Sequence, residues 1–157
     1  MFDEKVWKTG ELKALKYMKK CGYKIITTNF SGKGFELDIV AKLHKKKLLK
    51  QLRVDFKEKL KNAVSYEDVQ SIRNVFLNQK KELKHLLIIT EVKARTNNKY
   101  GKGFDAVSVT KQEKLVLGAK WLLGQRKYQN FNVRFYVASI DGDKLSYIEG
   151  AFEAKNQ

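Results

Sequence analysis

The sequence has no proline and a single cysteine, Cys21, among its 157 residues. The missing proline rules out a proline-rich linker, and no serine-rich one is present. One cysteine excludes an intramolecular disulfide, a cysteine-ligated zinc site and a redox pair within the chain; it fits a reducing cytoplasm. Histidine is almost as scarce, with His44 and His85 alone. Metal centres and catalytic triads that need more imidazoles are therefore excluded, and any metal must be held mainly by oxygen. Long apolar runs are absent too. The densest, Leu86 to Ile89 and Phe135 to Ile140, fall far short of the roughly 20 residues of a membrane-spanning helix. Three of the residues Met1 to Lys5 are charged (Asp3, Glu4 and Lys5) and no apolar stretch follows them, so no secretory signal is expected and the expected location is cytoplasmic.

Positive charge is in excess. Lysine and arginine total 33 against 17 aspartate and glutamate, a net charge of +16. A hydrophobic content of 43% and an aromatic content of 11% still provide for one compact domain, expected to span 1–157. Such a charge favours a polyanionic partner, nucleic acid first and an acidic membrane surface second. Lysine used simply as the default surface residue accounts for the excess about as well, so charge becomes function only beside a site.

The chain alternates helix-like and strand-like segments. Residues 5–21 read as a helix, with Glu11, Ala14, Leu15, Met18 and Gly22 along one stripe, Thr9 and Gly10 as cap positions and Gly22 as the stop. Tyr23 to Asn29 reads as a strand, Ser31 to Gly34 as a turn. Phe35 to Ala41 alternates, with Phe35, Leu37 and Ile39 on one face and Glu36 and Asp38 on the other. Leu86 to Ala94 is a second apolar strand, with Glu91 and Lys93 on one face and Thr90 and Val92 on the opposite one. Between these strands, 43–85 reads as an inserted helical hairpin. Leu48, Leu52, Phe56 and Leu60 recur every four residues, Val69, Ile72 and Phe76 follow, and Ser65 to Asp68 forms a capping box. The insert holds twelve basic and five acidic residues, a net +7. A polar loop runs from Arg95 to Phe104. Thr110 to Glu113 is a second capping box, opening a helix to about Gly124 with Leu115, Ala119 and Leu122 inside. Asn132 to Ile140 and Lys144 to Glu149 form a hairpin about Asp141-Gly142. The order predicts an α/β sandwich with a mixed sheet.

Chemistry gathers on the first and second apolar strands. If they pair, Asp38, Glu91 and Lys93 crowd on one sheet face, because side chains two apart share a face. Adjacent carboxylates resist ionising unless a cation joins them. A hard divalent cation such as Mg²⁺ (or Mn²⁺) resolves this and also binds phosphate; the Val92 carbonyl is a further candidate ligand. Lys93 can hold an attacking water or neutralise charge growing on a phosphorane-like transition state. Glu11, on an inward stripe, is a further acid for the site. Taken alone, it reads first as an acid favoured by the helix dipole, with its stem packed and its head in water. Simpler readings exist for the others too. Asp38 and Glu36 fit an exposed polar face, Glu91-x-Lys93 fits a solvated self-neutralising pair, and Lys111 fits an ordinary exposed lysine.

The ordered pattern resembles a known family. Gly10-Glu11, Ala14, Tyr17, Gly22-Tyr23, Ile26 and Asn29-Phe30 open it. Gly34 with Glu36-Leu-Asp38-Ile-Val-Ala41 follows, then Glu91-Val-Lys-Ala-Arg95, Lys111 and Ala151-Phe152. This is similar to the YraN-type endonuclease-like family of the PD-(D/E)xK nuclease superfamily, related in site layout to archaeal Holliday junction resolvases. The resemblance covers nearly the whole chain outside 43–85. It implies a restriction-endonuclease-like α/β/α sandwich. It implies Asp38 and Glu91 as metal-binding carboxylates, Lys93 as the catalytic lysine and Glu11 as the helix-borne acid of resolvase-like members. The chain departs from the family in its inserted hairpin and in Phe35, where a second glycine is usual.

These lines converge on a divalent-metal-dependent DNA endonuclease in repair or recombination. Asp38, Glu91, Val92 and Glu11 would surround Mg²⁺ or Mn²⁺, and Lys93 would act on water. Arg95, Lys99, Lys102 and Lys111 would contact the DNA backbone, which favours selection by shape over base sequence. A homodimer is expected by analogy with resolvases, which place two cuts. The alternative is a non-catalytic nucleic-acid-binding module with a nuclease fold. A third reading makes the hairpin a docking arm for a protein partner, with Leu48, Leu52, Phe56, Val69, Ile72 and Phe76 as its exposed seam; otherwise these residues pack on one another.

Overall fold

A computed structural model of the chain describes residues 4–95 and 107–154. Helix α1 (Glu4–Lys20) leads into strands β1 (Tyr23–Gly32) and β2 (Phe35–Leu43). The hairpin of α2 (Lys45–Lys61) and α3 (Tyr66–Lys84) follows, then β3 (Leu86–Arg95), α4 (Val109–Leu123), β4 (Asn132–Asp141) and β5 (Lys144–Phe152). The strands form one sheet in the order β1-β2-β3-β4-β5. Only β3 and β4 are parallel, and they are joined by α4, as a parallel step requires. The sheet is thus mixed, as the element order predicts.

Both faces of the sheet are covered, which is why its central strand opens on an unbroken apolar run, Leu86 to Ile89. Leu86, Ile88 and Val92 of β3 pack with Ala14 and Met18 of α1. Leu87 and Ile89 pack with Leu115, Ala119 and Leu122 of α4. Each of Leu86, Leu87, Ile88 and Ile89 is at most 1% exposed, a burial that favours folding by about 2 kcal/mol per side chain. The result is the α/β/α arrangement of restriction-endonuclease-like folds.

Several local expectations are corrected. α1 begins at Glu4, so Thr9 and Gly10 lie inside the helix and do not cap it. Gly10 serves closeness instead: a Cβ there would meet the Ala94 Cβ at 2.7 Å, so α1 crosses β3 at a point only glycine allows. β1 continues to Gly32, because Ser31 and Gly32 still pair with Glu36 and Phe35; the turn shrinks to Lys33-Gly34. α4 is capped by Ser108, whose Oγ accepts from the Lys111 N–H at 3.2 Å, which places Thr110 within the first turn. A short 3₁₀ turn, Arg126–Tyr128, follows α4. The capping box at Ser65 holds, with Ser65 Oγ accepting from the Asp68 N–H.

The hairpin closes on itself. Leu52 is buried and the Phe56 and Phe76 rings lie 4.6 Å apart. The apolar seam is therefore mostly covered by the partner helix, with Val69 at its edge. Its root is tied to the body by Lys47 Nζ on the Lys20 carbonyl (3.2 Å) and by Arg134 on Glu82 (2.8 Å). Among the described residues no helix is long and apolar enough to cross a membrane.

Candidate active site

The alternation expected along β2 breaks at one residue. Phe35 and Leu37 pack beneath α4, whereas Ile39 packs beneath α1; Asp38 stands at the switch. Here β2 also parts from β3. Their paired residues run from Ala41–Ile88 to Ile39–Thr90 and stop. Beyond that point a side chain replaces the backbone ladder: Asp38 Oδ2 accepts from the Val92 N–H at 2.8 Å. Asp38 is thereby fixed, 5% exposed, at the mouth of the parting strands.

Glu91 lies one position past the last residue of β3 that pairs with β2 and is 8% exposed. The charge of the Asp38 carboxyl acts directly on it. Lys111, in the first turn of α4, places its Nζ 3.3 Å from Glu91 Oε1. Among the described residues Glu91 Oε2 is buried with no hydrogen-bond partner. Burial foremost, then the Asp38 charge, pushes the Glu91 carboxyl up to about 7, with Lys111 opposing. Burial also raises Asp38, against the Val92 N–H, which lowers it. The structure thus brings Asp38 and Glu91 together as two buried acids with the Lys111 ammonium beside Glu91. Lys93 is half-buried two residues after Glu91, and so on the same side of β3. Thr90 and Val92 face the other way, Thr90 Oγ1 lying 3.1 Å from the Tyr147 hydroxyl and Val92 packing under α1.

Glu11 approaches from α1. It sits beyond the first turn, away from the positive end of the helix dipole, and is 7% exposed, so the reading of a dipole-favoured acid with its head in water is set aside. Its Oε1 accepts from Asn29 Nδ2 at 3.1 Å. Burial first, and then the Asp38 charge, raises its carboxyl. Asn29 holds a left-handed backbone, φ 50°, which asparagine tolerates better than most residues. Sequence reasoning gave no role to Asn29 or Ser108. The only available signal was Asn29 in the family-like stretch and a serine three residues before Lys111. Glu36 is exposed, and its charge adds to the raising of Glu11 and Asp38.

Two carboxyls, one of them with a buried oxygen that has no hydrogen-bond partner among the described residues, and the backbone carbonyl of Val92 next in sequence make an all-oxygen donor set. That set suits a hard divalent cation. Among the described residues no three His, Cys, Asp or Glu side chains gather tightly enough to hold a metal by themselves, so water and backbone would complete any such site. Of the expected backbone-binding cations, Lys111 is engaged with Glu91. Lys99, Lys102 and the side chain of Arg95 lie outside the described residues.

The fold and its acids define a class: an α/β/α protein with a carboxyl pair where two central strands part. The model of the uncharacterised protein family UPF0102, the YraN family, matches residues 10–140, and the chain belongs to it. It is similar to a UPF0102 protein of Clostridium botulinum (strain Alaska E43 / Type E3), 37% identical over 98 residues, covering 59% of this chain and 72% of that protein. It is also similar to UPF0102 protein FN1370 of Fusobacterium nucleatum, 27% identical over 139 residues, covering 88% and 83%. With UPF0102 protein THEYE_A1950 of Thermodesulfovibrio yellowstonii the identity is 29% over 145 residues, covering 92% and 93%.

Proposed function

We propose that the protein is a divalent-metal-dependent DNA endonuclease that hydrolyses phosphodiester bonds, selects DNA by shape and acts in repair or recombination. The observation that carries this reading is the buried Asp38–Glu91 pair with its unpartnered oxygen. Asp38 and Glu91 would hold Mg²⁺ or Mn²⁺, with the Val92 carbonyl and Glu11 nearby. Such a cation, when bound, draws charge from a phosphate oxygen and sharpens a water as nucleophile. The Val92 N–H keeps Asp38 Oδ2 oriented towards β3. Lys93 holds the attacking water or neutralises charge gathering on the phosphate oxygens as the leaving sugar oxygen departs. In the metal-free chain Lys111 supplies the positive charge beside Glu91. Glu11, held by Asn29, adds negative charge near Asp38.

The test is direct. Labelled duplex, single-stranded, flap and four-way DNA are incubated with pure protein and Mg²⁺, Mn²⁺ or EDTA, beside Asp38→Ala and Lys93→Ala. Cutting by the wild type alone, with metal only, is the expected result. One observation favours the rival reading of a binding module, namely the lack among the described residues of a third ligating side chain. Salt-sensitive binding by all three proteins with no cutting would establish that rival.

A further inference from the structure

The hairpin divides its charge unevenly. α2 and α3 are 17 and 19 residues long, and both are largely exposed. α2 carries eight basic and two acidic residues, α3 four and three. Exposed positions of α3 hold amides instead, at Asn74, Asn78 and Gln79. Lysine used as mere default surface would be shared between two such neighbours.

The cations of α2 are also aligned. Lys46, Lys50, Arg53, Lys57 and Lys61 recur at spacings of four, three, four and four, which puts them on one stripe. All five are exposed. Among the described residues none of them is paired with a carboxylate. The acids of α2, Asp55 and Glu58, fall off the stripe by the same geometry, and Asp55 accepts from Gln51 at 3.0 Å. At 1.5 Å per residue the stripe runs about 22 Å. One DNA strand carries a phosphate about every 3.4 Å, so five cations face about six phosphates.

We infer that this stripe is a second, sequence-independent nucleic-acid contact, a rail for the phosphate backbone away from the Asp38–Glu91 pair. Its ligand rests on the nucleic-acid reading proposed above. An acidic membrane fits less well, because a helix lying on a membrane needs a free apolar face beside its cations. The main apolar face of α2 is occupied by α3, through Leu52 and the Phe56–Phe76 contact, and the exposed Val54 beside the cations does not amount to such a face. Location fits a rail too. The hairpin springs from Leu43 and Leu86, each five residues along its strand from Asp38 or Glu91, or about 17 Å at strand rise. A nucleic acid held at both places is gripped over at most about 40 Å, or about 12 base pairs.

The experiment measures binding of the full chain to a labelled duplex of about 30 base pairs, in EDTA, over a range of salt. Lys50→Gln/Arg53→Gln/Lys57→Gln on the stripe is compared with Arg73→Gln/Lys80→Gln/Lys81→Gln on α3, which removes the same charge. Thermal melts check that both remain folded. The stripe variant should bind more than tenfold more weakly and flatten the log–log salt slope by about 2 to 3 units, while the α3 variant changes affinity less than threefold. Equal losses in both variants, no loss in either, or no binding by the wild type would overturn the proposal. The nuclease reading fails separately: wild type that does not cut but needs the stripe to bind loses the enzyme and keeps the rail. Cutting with stripe-independent binding does the reverse.

Discussion

An ionised carboxylate that is 8% exposed needs a proton, a cation or several donors. Among the described residues Glu91 has an ammonium at 3.3 Å and an oxygen with no hydrogen-bond partner. Its carboxyl is therefore raised from an ordinary 4.5 to about 7, by burial first and Asp38 second. The direction fixes the pH dependence. The folded chain holds this proton more tightly than the unfolded one, so the stabilising effect is complete below about 4.5. It is lost as pH rises towards about 7. Glu91→Gln, neutral and nearly isosteric, should thus raise the melting temperature relative to wild type at pH 8 without metal, and leave it nearly unchanged at pH 4.5. Melts showing the same difference at both pH values would remove the buried-charge account. The Glu-x-Lys spacing of this site was legible because strand side chains alternate. The ion pair to Lys111 was not, because it depends on how α4 docks after the crossover.

At the scale of the element, α1 carries Glu11 to the sheet, and Gly10 sets how near it comes. A mid-helix glycine costs about 1 kcal/mol against alanine, yet alanine here would drive its Cβ to 2.7 Å from that of Ala94. Gly10→Ala should destabilise the protein by about 1–2 kcal/mol in urea titrations despite the better helix former, since overpacking outweighs propensity. A gain in stability would show that α1 can move off β3 freely. The helical period placed Glu11 on the inner stripe, but the period alone left its head in water or in protein. The start at Glu4, and Asn29 in its left-handed conformation, decided for burial. Likewise the break in β2 at Asp38 has no sequence signature. It follows from the parting of β2 and β3, which only the paired strands reveal.

For the molecule as a whole, a cation filling the Asp38–Glu91 pair should stabilise the fold by mass action. It must displace the proton on Glu91, so its hold should strengthen as pH rises to about 7 and level off above. Thermal melts with Mn²⁺ should therefore show a shift at pH 7.5 that shrinks markedly at pH 5.5 and vanishes in Glu91→Gln. A shift independent of pH, or one surviving the substitution, would place any bound metal elsewhere.

The residue pattern by itself determined the mixed α/β sandwich, the hairpin and the candidates Asp38, Glu91 and Lys93, because strand and helix periods, caps and turn residues are local and additive. The tertiary structure alone decided which acids meet, which one lacks a partner and which lysine stands beside it. Those outcomes depend on three elements, α1 on one face, α4 on the other and β2 alongside, converging on the same stretch of β3, and convergence between segments tens of residues apart leaves no period in the chain.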